Sequence, residues 1–295
     1  YLIILGFCAV VFLFVKHTVG NDSTISEWII NYQGGFTRRG LIGEISFYIA
    51  KFFNTELRFV IFLFQVISYL LFLLLTFKFF QKLKINILSL FAIFTPIFLL
   101  YPVAEIEVLA RKEVFLYIYF LCFLFFCNPS NSFHKFSNLY IFLVTPIICL
   151  IYEEIILFFP FLVACLVVQR KIQTFASFFK LCMLFMPSII IVLYFFISPL
   201  SVENHELMKK SLLDNFGERC YMSCALLTVN DINQFGTIVD FMYGKRTFLE
   251  VLGYIFRYLL IIFIGFFPLF LLASHSKFNS YNLFCKFRLD NILFL

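Results

Sequence analysis

Charge is scarce in this sequence. Asp, Glu, Lys and Arg make up only 14% of 295 residues, and mean hydropathy is +0.97, where soluble domains carry about 25% charge. A water-soluble globule needs a polar skin, so this composition predicts burial in lipid. Histidine is equally thin: the four residues His17, His134, His205 and His275 share no paired spacing, which argues against a zinc site. Neither an internal repeat nor a low-complexity linker occurs. Also missing are a phosphate-binding Walker loop, a GxSxG elbow, an HExxH helix and a CxxC pair, so the sequence offers none of the familiar soluble-enzyme chemistries.

Apolar residues are abundant instead. Hydrophobic residues reach 62%, and 47 are Phe. A membrane span needs about 20 apolar residues, and roughly eight candidates lie near 1–16, 57–80, 85–104, 114–128, 138–152, 155–169, 179–199 and 248–272. The expected fold is an all-α bundle of about eight spans forming one integral membrane domain; the spans 138–152 and 155–169 are short enough to be a re-entrant pair. The chain begins at Tyr1, as expected of a fragment or processed product, and no A-x-A-like cleavage site follows the first run, so a removed signal peptide is not expected.

The formal charge of +6 would suggest nucleic acid in a soluble protein, but here the basic residues flank apolar runs and report orientation. Lys78, Lys82 and Lys84, then His134 and Lys135, then Arg170 and Lys171, then Lys277, Lys286 and Arg288 mark cytoplasmic connections. The alternate connections collect the acids, and only Asp290 of 17 lies on the basic side. This pattern predicts an integral membrane protein whose two long loops, 17–56 and 200–247, are extracytoplasmic. Long loops in a compact bundle are commonly functional or disordered. Within the first, Leu41 to Phe53 places Glu44, Tyr48 and Lys51 at helical spacing among apolar residues, the pattern of a helix lying along the membrane interface.

Just before that helix, Asn31 to Gly43 sets Gly34, Gly35, Gly40 and Gly43 around Arg38 and Arg39, on the side where positive charge is disfavoured. Glycine backbone, a helix N-terminus and forked guanidinium donors together suit a phosphate or pyrophosphate at headgroup depth. A lipid-headgroup anchor in which the glycines only turn the chain fits the same residues. Asp22 and Glu27 follow the first span closely enough for a carboxylate to accept a hydroxyl proton, or to cap and charge a short helix beginning near Thr24. Glu105 and Glu107 precede Arg111-Lys112-Glu113. In an extended backbone the two acids would share a divalent cation, Mg or Mn; on a helix they diverge and the cluster reads as ion pairs at a solvated helix end. Glu153 and Glu154 stand at a tight turn, where one could pair with Arg111, Arg38 or Arg39, hold a raised pKa, or simply face solvent. Cys220 and Cys224 share the second long loop. At i, i+4 their Cα atoms would be about 6 Å apart, inside the bridging range, and free thiols are the alternative.

This arrangement resembles the GT-C superfamily of polyprenyl-phosphate-dependent glycosyltransferases: an acid after the first span, an interfacial helix, tight connections and a second long outer loop. The Gly-Gly-x-x-Arg-Arg-Gly segment is also similar to one in bacterial membrane proteins associated with surface polysaccharides. The resemblance implies sugar transfer from a lipid-linked phosphate donor on the extracytoplasmic face. Asp22 would be the base with Glu27 in reserve. Gly34, Gly35, Arg38, Arg39, Arg111, Glu153 and Glu154 would bind substrate, and Glu105 and Glu107 would hold the cation. The chain departs from the family in lacking a clear Asp-Glu pair or an Asp-x-Asp motif. A polysaccharide polymerase, a transporter and a noncatalytic membrane subunit are the competing readings; membrane lipids and a lipid-linked sugar phosphate are the expected partners, with no nucleic acid.

Overall fold

A computed structural model of the chain describes residues 1–18, 23–81, 99–104, 108–126, 133–170, 174–220 and 222–228, and a few residues between 252 and 263. Among the described residues all regular structure is helical, in agreement with the all-α expectation. Helix α1 (Leu2–Thr18) packs along α4 (Leu57–Phe80). The seam is apolar at helical spacing: Leu5, Ala9 and Leu13 face inward from α1, and Tyr69, Phe72 and Leu73 meet them from α4. Small residues allow the close approach, since a Cβ on Gly6 would stand 3.3 Å from Leu70. The outer faces are no more polar than the inner ones: Ile3, Phe7 and Phe14 of α1, and Phe59, Ile67 and Leu74 of α4, are all exposed.

Between them in sequence lie α2 (Ser23–Trp28) and α3 (Gly40–Phe53). Helix α3 has the two-faced character its sequence predicts, burying Ile42, Gly43, Ser46, Phe47 and Ala50 while exposing Tyr48, Lys51 and Phe52. The chain after α2 crosses so tightly that a Cβ on Gly43 would fall 1.8 Å from the Ile30 carbonyl oxygen.

After the short α5 (Tyr101–Ala104), α6 (Glu113–Phe126) and α7 (Phe133–Ile151) form a hairpin. Tyr119 and Tyr140 stack with centroids 5.2 Å apart, Tyr119 and Thr145 share a hydroxyl hydrogen bond at 2.7 Å, and the Tyr140 hydroxyl donates to the Tyr119 carbonyl. The start of α6 and the end of α7 are therefore neighbours, and the candidate residues gather there.

Two expected spans have a different form. Residues 155–169 do not make one continuous α-helix: the chain leaves α7 in extended backbone at Tyr152, runs as a 3-10 helix over Glu153–Phe158 and becomes α8 over Phe159–Gln169. Residues 179–199 are divided between α9 (Phe175–Met183) and α10 (Met186–Ile197), which meet at 56°. Pro187 at the start of α10 explains the break, because it has no N–H to donate to the Met183 carbonyl and its ring crowds that carbonyl, whereas in the first turn of a new helix the missing N–H costs nothing. Among the described residues only α4 is long and apolar enough to cross a membrane by itself, and the bent α9–α10 pair would add a second span. The expected spans near 85–104 and 248–272 fall mostly outside the described residues.

The second long loop folds back over the first. Helix α11 (Val202–Phe216) is capped by Ser201, whose hydroxyl accepts the Asn204 N–H, and ends at Gly217 with φ +67°. It is followed by a Cys220–Cys224 disulfide with Cα atoms 5.7 Å apart, the bridged alternative of the sequence reading. The helix carrying Cys224, α12 (Met222–Ala225), packs on α2, and Arg58 at the start of α4 pairs with Glu218 at 2.6 Å.

Gly43→Ala puts a methyl group where only a hydrogen fits against backbone, so thermal unfolding in detergent is expected to show a loss of about 3 kcal/mol, whereas the same change at Gly217, whose Cβ would meet nothing within 4 Å among the described residues, costs about 1 kcal/mol through its φ of +67° alone.

Candidate functional site

Four stretches of chain meet at the end of the α6–α7 hairpin. Helix α2 brings Glu27, the turn before α3 brings Arg38 and Arg39, the turn before α6 brings Arg111 and Lys112, and the 3-10 helix brings Glu153 and Glu154. Arg39 is the hub. Its Nε donates to both oxygens of Glu153 at 2.9 Å, Nη1 to Glu27 at 2.9 Å and Nη2 to Glu154 at 2.7 Å. Its guanidinium carbon also lies 5.0 Å from the centre of the Tyr152 ring. The Tyr152 hydroxyl donates its one hydrogen to Glu154 at 2.7 Å and lies 3.1 Å from Glu113. Arg111 bridges Glu27 and Glu113 at 3.5 Å each, and Arg38 stands 4.0 Å from Glu153.

Local backbone makes this possible. Arg39 precedes α3 in the left-handed region at φ +59°, and Ala110 occupies the same region at φ +50°. Such conformations are unfavourable for residues with a Cβ and persist where surroundings over-determine them. At Arg39 the determinant is Lys112, fully buried, whose Nζ donates to the Arg39 carbonyl. At Ala110 it is Trp28, whose indole N–H donates to that carbonyl at 3.2 Å. Glu44 adds a further anchor, accepting the Tyr32 N–H at 2.7 Å and the Gln33 side-chain N–H at 2.8 Å.

Electrostatics follow from burial. Desolvation opposes the charge on Arg39, but Glu153 and Glu27 outweigh it and raise its pKa; Glu153 is held below the ordinary carboxylate range because Arg39 overcomes the cost of burying it. Lys112 goes the other way. Burial lowers its ammonium to about 7, despite the carboxylates of Glu27, Glu153 and Glu113.

Glu27, Arg38, Arg39, Arg111, Glu153 and Glu154 are thus brought together. Gly34 and Gly35 lie in the turn that meets α11: a Cβ on Gly34 would lie 1.9 Å from the Asn204 carbonyl oxygen, and the Gly35 N–H closes a turn onto the Tyr32 carbonyl at 2.9 Å. They give loop contact and a turn, and the Gly35 donor is spent on that turn. Asp22, Glu105 and Glu107 lie outside the described residues. Among the described residues no group of three His, Cys, Asp or Glu side chains is placed to hold a metal ion. Lys112, Tyr152 and Glu44 carry no site role in the sequence reading, where Glu44 stands only on the polar side of the interfacial helix and Lys112 only within a charge cluster. For Lys112 the signal was a basic residue adjoining Arg111 in an acid-rich connection; nothing in the pattern around Tyr152 distinguished it from the chain's other tyrosines. No protein family, curated protein or solved structure matches the chain.

Arg39→Ala strands buried Glu27 and Glu153 without their shared partner and is expected to destabilise by about 3–5 kcal/mol in detergent unfolding; Arg39→Lys should recover little, since an ammonium cannot reproduce a fork spanning three carboxylates. Lys112 titrates near 7 folded and near its ordinary 10.5 unfolded, so between those values the unfolded chain binds more protons and stability rises with pH. Melting temperatures measured from pH 7 to 9.5 should climb more steeply in wild type than in Lys112→Met.

Proposed function

We propose that the chain is a polytopic membrane protein of about eight spans that transfers a sugar from a lipid-linked phosphate donor to an acceptor hydroxyl on the extracytoplasmic face of a bacterial inner membrane, in surface glycan assembly. The observation carrying this reading is the convergence of Arg38, Arg39 and Arg111 with Glu27, Glu153 and Glu154 from four chain segments at one end of the helices. Preorganised guanidinium groups lower a barrier most where negative charge develops, as it does on a departing phosphate. The exposed apolar flanks of α1, α3 and α4 support a lipid setting.

Within this reading the base is Asp22, which directly precedes α2 in sequence, with Glu27 in reserve; Arg39 and Arg111 hold the two oxygens of Glu27 at 2.9 and 3.5 Å. Glu105 and Glu107 would hold a Mg or Mn ion. A polymerase joining lipid-linked oligosaccharides would use the same arginines with a larger donor. The saturation of Arg39 by three carboxylates favours a second reading, a noncatalytic membrane subunit in which the cluster is purely structural.

Purified chain in nanodiscs, given radiolabelled polyprenyl-phosphate hexoses and N-acetylhexosamines together with lipid-linked oligosaccharides as hydroxyl acceptors, should form glycosylated acceptor and release polyprenyl phosphate, and Asp22→Asn should lower the rate about 10²–10⁴-fold without loss of folded protein. Absence of turnover by wild type across the panel, or equal turnover by Asp22→Asn, leaves the subunit reading.

A further inference from the structure

Tyr152 stands between two acids and has one hydrogen to give. Its hydroxyl oxygen lies 2.7 Å from Glu154 Oε2 and 3.1 Å from Glu113 Oε1. Hydroxyl hydrogen bonds span about 2.5–3.0 Å and are shortest when the acceptor is ionised, so the hydrogen belongs to Glu154. The Tyr152 oxygen then meets Glu113 Oε1 with lone pairs on both atoms. That contact repels if Glu113 is a carboxylate and attracts if Glu113 is a neutral acid donating to the phenol oxygen. The mirror arrangement, with Glu154 as the acid, needs the same extra hydrogen. Three oxygens in a row therefore require one proton beyond the tyrosine's own.

The surroundings place that proton on Glu113. Its other oxygen, Oε2, is shut off from solvent and makes no hydrogen bond, a costly condition for an ionised carboxylate and a lesser one for a neutral acid. No cation answers it closely. Arg111 stands 3.5 Å away and is shared with Glu27 at the same distance, Arg39 is taken up by Glu27, Glu153 and Glu154, and the Lys112 amine is turned to the Arg39 carbonyl. Tyr117, one turn further along α6, is a phenol and adds no charge. Burial accordingly raises Glu113 above the ordinary carboxylate range, with Arg111 opposing the shift and Glu27 adding to it. Glu154 differs on both counts: its side chain is half exposed, and Arg39 holds its Oε1 at 2.7 Å.

We propose that Glu113, Tyr152 and Glu154 form a proton relay, in which Glu113 is a neutral acid donating to the Tyr152 oxygen, Tyr152 donates to ionised Glu154, and one proton passes between the enclosed acid and solvent. On release the Tyr152 hydrogen moves to Glu154 Oε2, the Glu113 hydrogen moves to the Tyr152 oxygen, and Glu154 gives one proton to water. The tyrosine ends as it began and Glu113 is left ionised. Because Arg39 holds the other oxygen of Glu154, the exchange leaves the three-carboxylate frame in place. The relay goes beyond the transfer reading and does not rest on it.

Infrared absorption of the full chain in an ester-free detergent reads the proton itself, because a carboxylic acid has a carbonyl band that a carboxylate lacks. At about pH 6, where an ordinary glutamate of pKa about 4.3 is almost wholly ionised, the spectrum of wild type minus that of Glu113→Gln should show one such band, shifted in heavy water. Glu154→Gln should retain it. Tyr152→Phe keeps both acids and removes the link between them, so the band should leave its wild-type position; this variant decides the matter if Glu113→Gln fails to fold. Equal carbonyl bands in wild type and Glu113→Gln, or a band lost in Glu154→Gln and kept in Glu113→Gln, overturn the assignment of the proton to Glu113. A band unmoved by Tyr152→Phe overturns the relay.

Discussion

A single guanidinium, that of Arg39, joins three carboxylates delivered by α2 and by the 3-10 helix more than a hundred residues further along the chain. Two of those acids, Glu27 and Glu153, are almost wholly removed from solvent. A buried carboxylate is tolerated only with a partner of excellent geometry, and a planar fork with donors in three directions is the side chain able to serve all three at once. The rest of the region is arranged to keep that fork in place. Left-handed backbone at Arg39 aims the side chain into the acids, and the buried Lys112 amine secures the carbonyl that this backbone turns inward. Tyr152 and Arg111 then tie the outer acids Glu154 and Glu113 to the same network.

Such a network requires loops to approach one another as closely as core elements do. The turn before α3 passes under α11 at Gly34, and α3 lies against the Trp28–Ile30 backbone at Gly43, with separations that exclude even a methyl group. The second long loop is held in turn by its disulfide, by α12 against α2 and by the Arg58–Glu218 pair. Its described part is consequently a packed layer over the first loop, and a small cleft beside Arg38 exists because these layers leave a gap where α10 ends.

This architecture divides two neighbouring arginines by surroundings. Arg39 is consumed by the fold, and its positive charge is largely answered within the protein. Arg38, one residue earlier, lies along a partly apolar cleft bordered by exposed aromatic rings.

Much of this was legible in the sequence. Apolar run length defines α1 and α4, and helical spacing of polar residues defines α3, each within a residue or two. Odd charges in an apolar chain pointed to Glu27, Arg38, Arg39, Arg111, Glu153 and Glu154, since ionisable groups are costly near lipid and rarely occur there without partners. What sequence could not decide was who pairs with whom: Glu153 had three candidate arginines, and only the meeting of the α6–α7 hairpin with the turn before α3 selects Arg39. Composition determined that this chain is helical and apolar, because those properties are sums over local residues. Tertiary structure alone decided that Gly34 packs, that Lys112 is buried and that Arg38 rather than Arg39 lines the cleft, because those outcomes depend on distances between segments far apart in the chain, on which local pattern has no hold.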